Sequence, residues 1–418
     1  MTNNPSELRA LRDTAFAALS GGDYRGASDR FARALAAGAA DAAVWFGLSM
    51  AHRHLGAAAE ENQALEQALA LDANYLPALI RKGDLHVQQG NERAACSYYG
   101  AAARLGAAHP AWPEEWRREA QRAAAAAREL AGRFEAHLLE TLAANGLNEA
   151  GTERFARALD MLLGKRQIYL QEPKYFYFPE LPQIQFYERR DFPWAAALEA
   201  ATPRIRAELQ ALLASGSGFE PYIRRVPDRP NFRNPLLENP AWSAAYLVRD
   251  GREVAANAAR CPDTMAALRA VPLCTIEART PSVLFSLLRP GTRIRPHHGF
   301  TNARLIGHLP LVVPEEPPRE IAPAAPSGRA PQDKPRNFAG TPGCALRVGN
   351  ETRPWREGEL VIFDDSIEHE AWNLSKELRV VLLFDIWRPE LTHRERALVA
   401  ATLGAARRFE GTQGTWSD

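Results

Sequence analysis

Two short stretches in the C-terminal half offer histidines at the ends of strand-like runs. The first is Arg-Pro-His-His-Gly-Phe-Thr-Asn, residues 295–302, and the second is Phe-Asp-Asp-Ser-Ile-Glu-His-Glu, residues 363–370. Two imidazoles converging from such segments suit a transition metal, and many oxygenases add a carboxylate to hold Fe(II). Here the position two after His297 is Gly299, not Asp or Glu. His297 and His298 are adjacent, so on a strand they point to opposite sides, which leaves one of them as a ligand. Pro296 fixes its own φ and biases Arg295 toward an extended state, a local frame that aims one imidazole inward.

A third element joins these two. Leu378 to Ile386 is a nearly unbroken apolar run with Arg379 at its head. A charged residue there either solvates a strand edge or faces inward as an anion anchor, since the guanidinium fork matches a carboxylate. Asp364, Asp365 and Glu368 surround the second histidine stretch. They either orient His369 or a bound water, or, for Asp365 with Ser366, act as ordinary turn residues.

Strands must position these groups. Pro290-Gly291 is a turn dipeptide, and Thr292–Pro296 is a brief extended run behind it. Further short runs are Cys274–Ala278, Val283–Leu288, Ile306–Val313, Cys344–Val348, Glu359–Phe363 and Arg379–Ile386. Their period and spacing predict an all-β core, closed as a barrel or jelly roll, rather than βαβ units. A helix is expected from Trp194 to Leu213. Residues 315–343 interrupt the core with prolines too dense for central strands. This insertion is expected to be a long surface loop, either a lid over the site or a passive insertion.

The front of the chain has a different grammar. Over residues 8–106 a period of 34 relates Ala34, Ala68 and Ala102, the small Ala15, Ser49 and Gly83, the turn glycines Gly22, Gly56 and Gly90, and the bulky Phe31, Leu65 and Tyr99. This resembles three tetratricopeptide repeats, helix–turn–helix units that bury their apolar faces only by stacking. Residues Glu114–Ala144 read as another helical pair or a cap, and Glu149–Leu163 as one more helix. The array either holds a peptide or braces the second domain. The domains expected are therefore 8–163, α-helical, and 165–400, β-rich.

Composition removes several function classes. The chain has 418 residues and a net charge of +1, which gives no global electrostatic case for nucleic acid. Four scattered cysteines lack CxxC spacing, against a zinc knuckle or disulfide framework. Neither a signal segment nor an 18-residue apolar run appears, so no integral membrane segment and a cytoplasmic protein are expected.

From about Tyr175 to Thr392 the motifs resemble one family in order and spacing. They are Pro290-Gly291-Thr292, Pro296-His297-x-Gly299-x-Thr301-Asn302 and His308-Leu309-x-Leu311-x-Val313-Pro314. Trp355-x-x-Gly358-Glu359, Phe363-Asp364-Asp365-Ser366-x-Glu368-His369 and Asp385-x-Trp387-x-Pro389 continue the series. The family is the aspartyl/asparaginyl β-hydroxylases, Fe(II)- and 2-oxoglutarate-dependent oxygenases. The resemblance implies a double-stranded β-helix (jelly-roll or cupin-like) with flanking helices, and the cofactors Fe(II), 2-oxoglutarate and O2. It implies His297 and His369 as metal ligands and catalytic centre, Arg379 and Ser286 at the far carboxylate of 2-oxoglutarate, and His308 near its other end. It also implies that water completes the metal shell beside Gly299. The animal members have an arginine where this chain has Ile306; Arg304, two residues earlier on the same strand face, is a candidate substitute. The implied activity is hydroxylation of the β-carbon of Asp or Asn in a peptide or protein, with the repeats as candidate recruiters. The alternatives are a small-molecule, carrier-bound or lipid substrate, or a repeat-based binding protein with an inactive oxygenase domain.

Overall fold

The computed structural model describes residues 5–147, 149, 151–225, 234–314 and 343–410. Two compact units divide the chain, Met1–Lys165 and Arg166–Asp418.

The described part of the first unit is helical: α1 (Pro5–Ser20), α2 (Tyr24–Ala36), α3 (Ala42–His54), α4 (Ala58–Leu71), α5 (Leu76–Gln88), α6 (Glu92–Ala108), α7 (Glu114–Ala143) and α8 (Glu153–Leu162). Asp23, Asp41 and Asn91 start α2, α3 and α6 by accepting main-chain N–H bonds from Gly26, Val44 and Ala94. Gly22, Gly56 and Gly90 turn the chain within each repeat at φ of +79°, +71° and +72°, a conformation costly for any residue with a Cβ. The small and large positions of the 34-residue period meet in the core. A Cβ at Gly83 would lie 2.5 Å from the Tyr99 ring. Residues 114–143 form one long helix rather than a pair. Gly132 sits within it, because a single interior glycine costs only about 1 kcal/mol against so many strong helix formers. The last helix starts at Glu153, four residues later than expected.

The second unit carries two antiparallel sheets. Its strands are β1 (Phe186–Tyr187), β2 (Glu220–Pro221), β3 (Trp242–Arg249), β4 (Arg252–Glu253), β5 (Val283–Leu288), β6 (Thr292–His297), β7 (Arg304–Val312), β8 (Cys344–Val348), β9 (Glu351–Pro354), β10 (Val361–Phe363), β11 (His369–Asn373) and β12 (Arg379–Trp387). The larger sheet runs β1-β10-β7-β12-β5-β3-β2, with β4 on β3, and the smaller runs β6-β11-β8-β9. Alternation along β7 and β12 sends Leu305, Leu309, Val380, Leu382 and Phe384 to one face. There they bury against Ile205, Leu209 and Leu268 of the flanking helices. Those helices are α9 (Ala195–Ala200), α10 (Thr202–Ala214), α11 (Ala255–Ala258), α12 (Pro262–Leu268) and α13 (His393–Glu410). On the other face Leu288, Ile306 and Val381 share a cluster with Ile294, Leu346, Val348 and Ala371 of the smaller sheet. Each such side chain contributes roughly 1.5–3 kcal/mol on full burial, so this layer joins the two sheets.

Several boundaries differ from expectation. Cys274–Ala278 is not a strand. The N–H groups of Arg279 and Thr280 both return to the Ile276 carbonyl (3.1 and 3.0 Å), and Ala278 has φ +55°, which a regular strand cannot accommodate. The helix expected over Trp194–Leu213 is broken into α9 and α10, because Pro203 lacks an N–H and opens a new helix. The Glu359–Phe363 strand shortens to Val361–Phe363. Of the proline-rich insertion 315–343, residues 315–342 lie outside the described residues, and the lid reading with them.

Candidate active site

β6 and β11 pair antiparallel with His297 and His369 as direct partners. Their ring centroids are 4.0 Å apart and the planes are tilted by 52°. Each Nδ1 meets a main-chain carbonyl two residues earlier: His297 with Arg295 O at 2.8 Å, His369 with Ile367 O at 3.1 Å. Nδ1 is therefore the protonated nitrogen, and Nε2 carries the lone pair. Burial, reinforced by His297, holds the His369 pKa well below its ordinary value, so this ring is neutral. His298 turns away; its Nε2 lies 3.9 Å from Glu172. Asp364, Asp365 and Glu368 were candidates to orient His369, but the main chain performs that task. Asp364 instead receives Arg388 (2.6 Å) and Gln171 (2.7 Å) and, with Ser366, forms a buried turn (2.5 Å).

The histidines line a cavity of about 490 Å³ that also reaches Ser286, Arg304, Ile306, His308 and Arg379. Arg379 opens β12 and is 1% exposed, so it faces inward rather than solvating an edge. Its Nη1 donates to the Ser286 carbonyl at 3.3 Å, and its guanidinium lies 4.4 Å from the Trp355 ring centroid. Its Nε has no hydrogen-bond partner, and no carboxylate pairs with it among the described residues. Burial lowers its pKa to about 10, which leaves it cationic at neutral pH. A buried, unpaired cation costs several kcal/mol, so the site is built to receive an anion. Ser286 Oγ accepts a hydrogen bond from Trp242 Nε1 at 3.2 Å and flanks the same space. His308 lies opposite Leu383 of β12. Burial first, and Arg379 second, push its pKa down to about 3, and its buried Nδ1 has no partner.

Near the histidines, a Cβ built on Gly299 would overlap the Asp365 carboxylate. The Gly299 N–H also donates to the Asp365 main-chain oxygen at 2.6 Å. Arg304 fixes this carboxylate through Nη2 (2.9 Å) and pairs with Asp385 through Nη1. Arg304 and Ile306 do face the same side, but the Arg304 guanidinium is engaged by two carboxylates. Residue types alone missed Trp242, on an unrecognised strand, and the buried Arg347–Glu370–Arg293 bridge behind His369. A charge inside the apolar run Cys344–Val348 was the available signal for Arg347.

Among the described residues, no group of three or more His, Cys, Asp or Glu is placed to hold a metal ion. The donor set is a pair of imidazoles with anchored Nδ1–H groups, which fits a borderline-soft divalent cation with open positions. No helix among the described residues is long and apolar enough to cross a membrane.

Comparison with known proteins agrees with this geometry. Residues 199–389 match the aspartyl/asparaginyl beta-hydroxylase family. The chain is 33% identical over 212 residues to the ornithine lipid ester-linked acyl 2-hydroxylase of Rhizobium tropici, covering 51% of this chain and 63% of that protein. It is 34% identical over 205 residues to the human aspartyl/asparaginyl beta-hydroxylase, covering 49% of this chain and 22% of that one. The chain thus spans less than two thirds of either relative's length. PcrH from Pseudomonas aeruginosa matches 31% of this chain and 94% of its own, at 22% identity and a TM-score of 0.28. The C-terminal unit contains an aspartyl/asparaginyl-hydroxylase-like domain, and its general chemistry is that of a hydroxylase-type oxygenase.

Proposed function

We propose that the chain is an Fe(II)- and 2-oxoglutarate-dependent dioxygenase that hydroxylates the β-carbon of Asp or Asn in a peptide or protein. The observation that carries this is Arg379, a buried guanidinium without a carboxylate, set in the same cavity as the paired imidazoles of His297 and His369. A dicarboxylate with one end at each group satisfies both. The two facing sheets support a double-stranded β-helix for residues 165–400, and the helical unit, 8–163, is proposed to recruit the peptide. All four cysteines are free, which fits a reducing, cytoplasmic setting.

His297 and His369 would hold the iron through Nε2. What iron and 2-oxoglutarate supply when bound is O2 activation with release of succinate and CO2, and insertion of one oxygen atom into a C–H bond. Arg379 grips the distal carboxylate of 2-oxoglutarate, and Ser286 Oγ donates its proton to the same group. Neutral His308 offers a hydrogen bond toward the other end without adding charge. Trp242 and Trp355 wall the cosubstrate from water. Arg304 holds Asp365 where a water at the vacant position would meet a carboxylate.

The test is an anaerobic titration of pure protein with Fe(II) and 2-oxoglutarate, which should produce a weak visible charge-transfer band. No band in metal-loaded protein sinks the cofactor assignment. The lipid-active relative raises acyl-chain hydroxylation as a second reading, which the charged walls of the outer cavity disfavour. A mass increase of one oxygen on an Asp- or Asn-containing peptide, and none on an acyl lipid, separates the two.

A further inference from the structure

The cavity continues beyond the histidines to Asp250, Arg279, Thr280 and Arg407. Arg279 and Arg407 are 9% and 8% exposed, while Arg225, on the same wall, is open to solvent. Of the three carboxylates lining the cavity, Asp365 and Asp385 are held by Arg304. Glu220 outside it takes up Arg224 and Arg249 at 2.9 and 2.6 Å. Asp250 is thus the carboxylate left to face Arg279, Arg407 and Arg225. Burial holds its carboxyl above the ordinary value, even with Arg249, Arg407, Arg252 and Arg279 acting against the shift. Positive charge is therefore in excess in a low-dielectric cleft, which focuses the field on whatever enters.

The scaffold of this region is built and not merely decorated. Ala278 and Asp250, one on each of two turns, have φ of +55° and +50°, left-handed conformations that cost of order 1–3 kcal/mol each outside glycine. The two turns lock together: Gly251 N–H donates to the Pro281 carbonyl at 3.1 Å. A Cβ at Gly251 would lie 2.7 Å from the Thr280 oxygen. The Arg279 guanidinium sits 4.6 Å from the Tyr175 ring centroid and 5.7 Å from that of Phe300. Phe300 also carries Arg304, at 4.6 Å. Arg279 is thereby fixed in relation to the Gly299–Asp365 contact, one residue from the ring it shares.

We propose that Arg279, Arg407 and Arg225 form a subsite for the carboxylates of an acidic peptide, flanking the residue presented to His297 and His369. This rests on the function proposed above. An acyl chain would have to lie along charged walls, whereas a polypeptide with Asp or Glu neighbours would be held by them.

The test is calorimetric titration of the full-length, iron-free protein with an alternating Asp-Gly peptide and its Asn-Gly counterpart. The acidic peptide should bind at least about tenfold more tightly, with a preference that shrinks as salt rises. The preference should vanish in an Arg279→Gln/Arg407→Gln variant and return in part with Lys at both positions. Equal affinities in the wild type overturn the proposal whether or not the variants fold, and so does an undiminished preference in a folded double variant. Cosedimentation with phosphatidylglycerol vesicles, without a peptide preference, would assign the surface to lipid and overturn the peptide. The titration contains neither iron nor 2-oxoglutarate, so failure of the cofactor reading registers separately, in the charge-transfer experiment.

Discussion

The Asp365 carboxylate fills the space that any side chain on residue 299 would need. Gly299 is therefore a steric requirement of the site and not an incomplete ligand triad. Gly299→Asp should not restore a two-histidine, one-carboxylate centre. It should push Asp365 off Arg304 and destabilise the fold by about 1–3 kcal/mol, the usual cost of overpacking. Denaturant unfolding and Fe(II) affinity would be measured together. A variant as stable as the wild type that binds iron more tightly would contradict the steric reading.

Arg379 is paired with nothing acidic until a ligand arrives, so its removal should have opposite effects on fold and function. Arg379→Met replaces a buried cation by an apolar chain of similar length. The ligand-free protein should gain about 1 kcal/mol or more. Affinity for 2-oxoglutarate should fall by about 100-fold, as expected when one partner of a buried charge pair is truncated. Thermal unfolding with and without 2-oxoglutarate reads both: the ligand should raise the wild-type Tm and leave that of the variant unmoved. A ligand-induced rise of equal size in both proteins would remove Arg379 from the site.

What the sequence disclosed depended on whether the local pattern was periodic. The helical array was legible because the same small and large residues recur every 34 positions, as with Gly83 against Tyr99. Strands β5 and β12 were legible as apolar runs. β3 was not, because Trp-Ser-Ala-Ala-Tyr-Leu-Val-Arg is buried on both faces and so lacks alternation, and its alanines have low β propensity. β11 escaped for a different reason: His369, Glu370 and Asn373 are polar yet buried, each satisfied by a partner far away in sequence. The histidines and Arg379 stood out by type. The overlap of residue 299 with Asp365 and the turn that carries Arg279 are tertiary facts with no short-range signature.

His308 should make the apoprotein sensitive to mild acid. Its folded pKa is pushed down to about 3 from an ordinary 6.5, by burial and by Arg379. Between those values the unfolded chain binds a proton that the folded one refuses. Its contribution to stability is thus complete above about pH 6.5 and declines as pH falls toward 3, by up to about 1.4 kcal/mol per pH unit. His308→Gln should flatten the dependence of unfolding free energy on pH from 6.5 to 4, measured by urea titration at each pH. Equal slopes in both proteins would mean that His308 is not buried neutral.

Glu370 pins the strand that presents His369. It is fully buried and accepts from Arg293 Nε at 2.9 Å and from Arg347 Nε at 2.6 Å. Burial works against its charge, but Arg347 and Arg293 outweigh that and hold the carboxyl below its ordinary value. Glu370→Ala would leave Arg347 buried beside a void and should cost about 3–5 kcal/mol. Glu370→Gln keeps the shape and loses the charge, so it should cost less. Because the folded pKa is depressed, the stabilisation is present above the ordinary carboxyl range and disappears as pH falls through the lowered value. The gap between wild type and Glu370→Gln should therefore narrow in acid, when unfolding is compared at neutral pH and near pH 4. A gap that stays constant with pH would show that packing, and not the two arginines, is what Glu370 contributes behind His369.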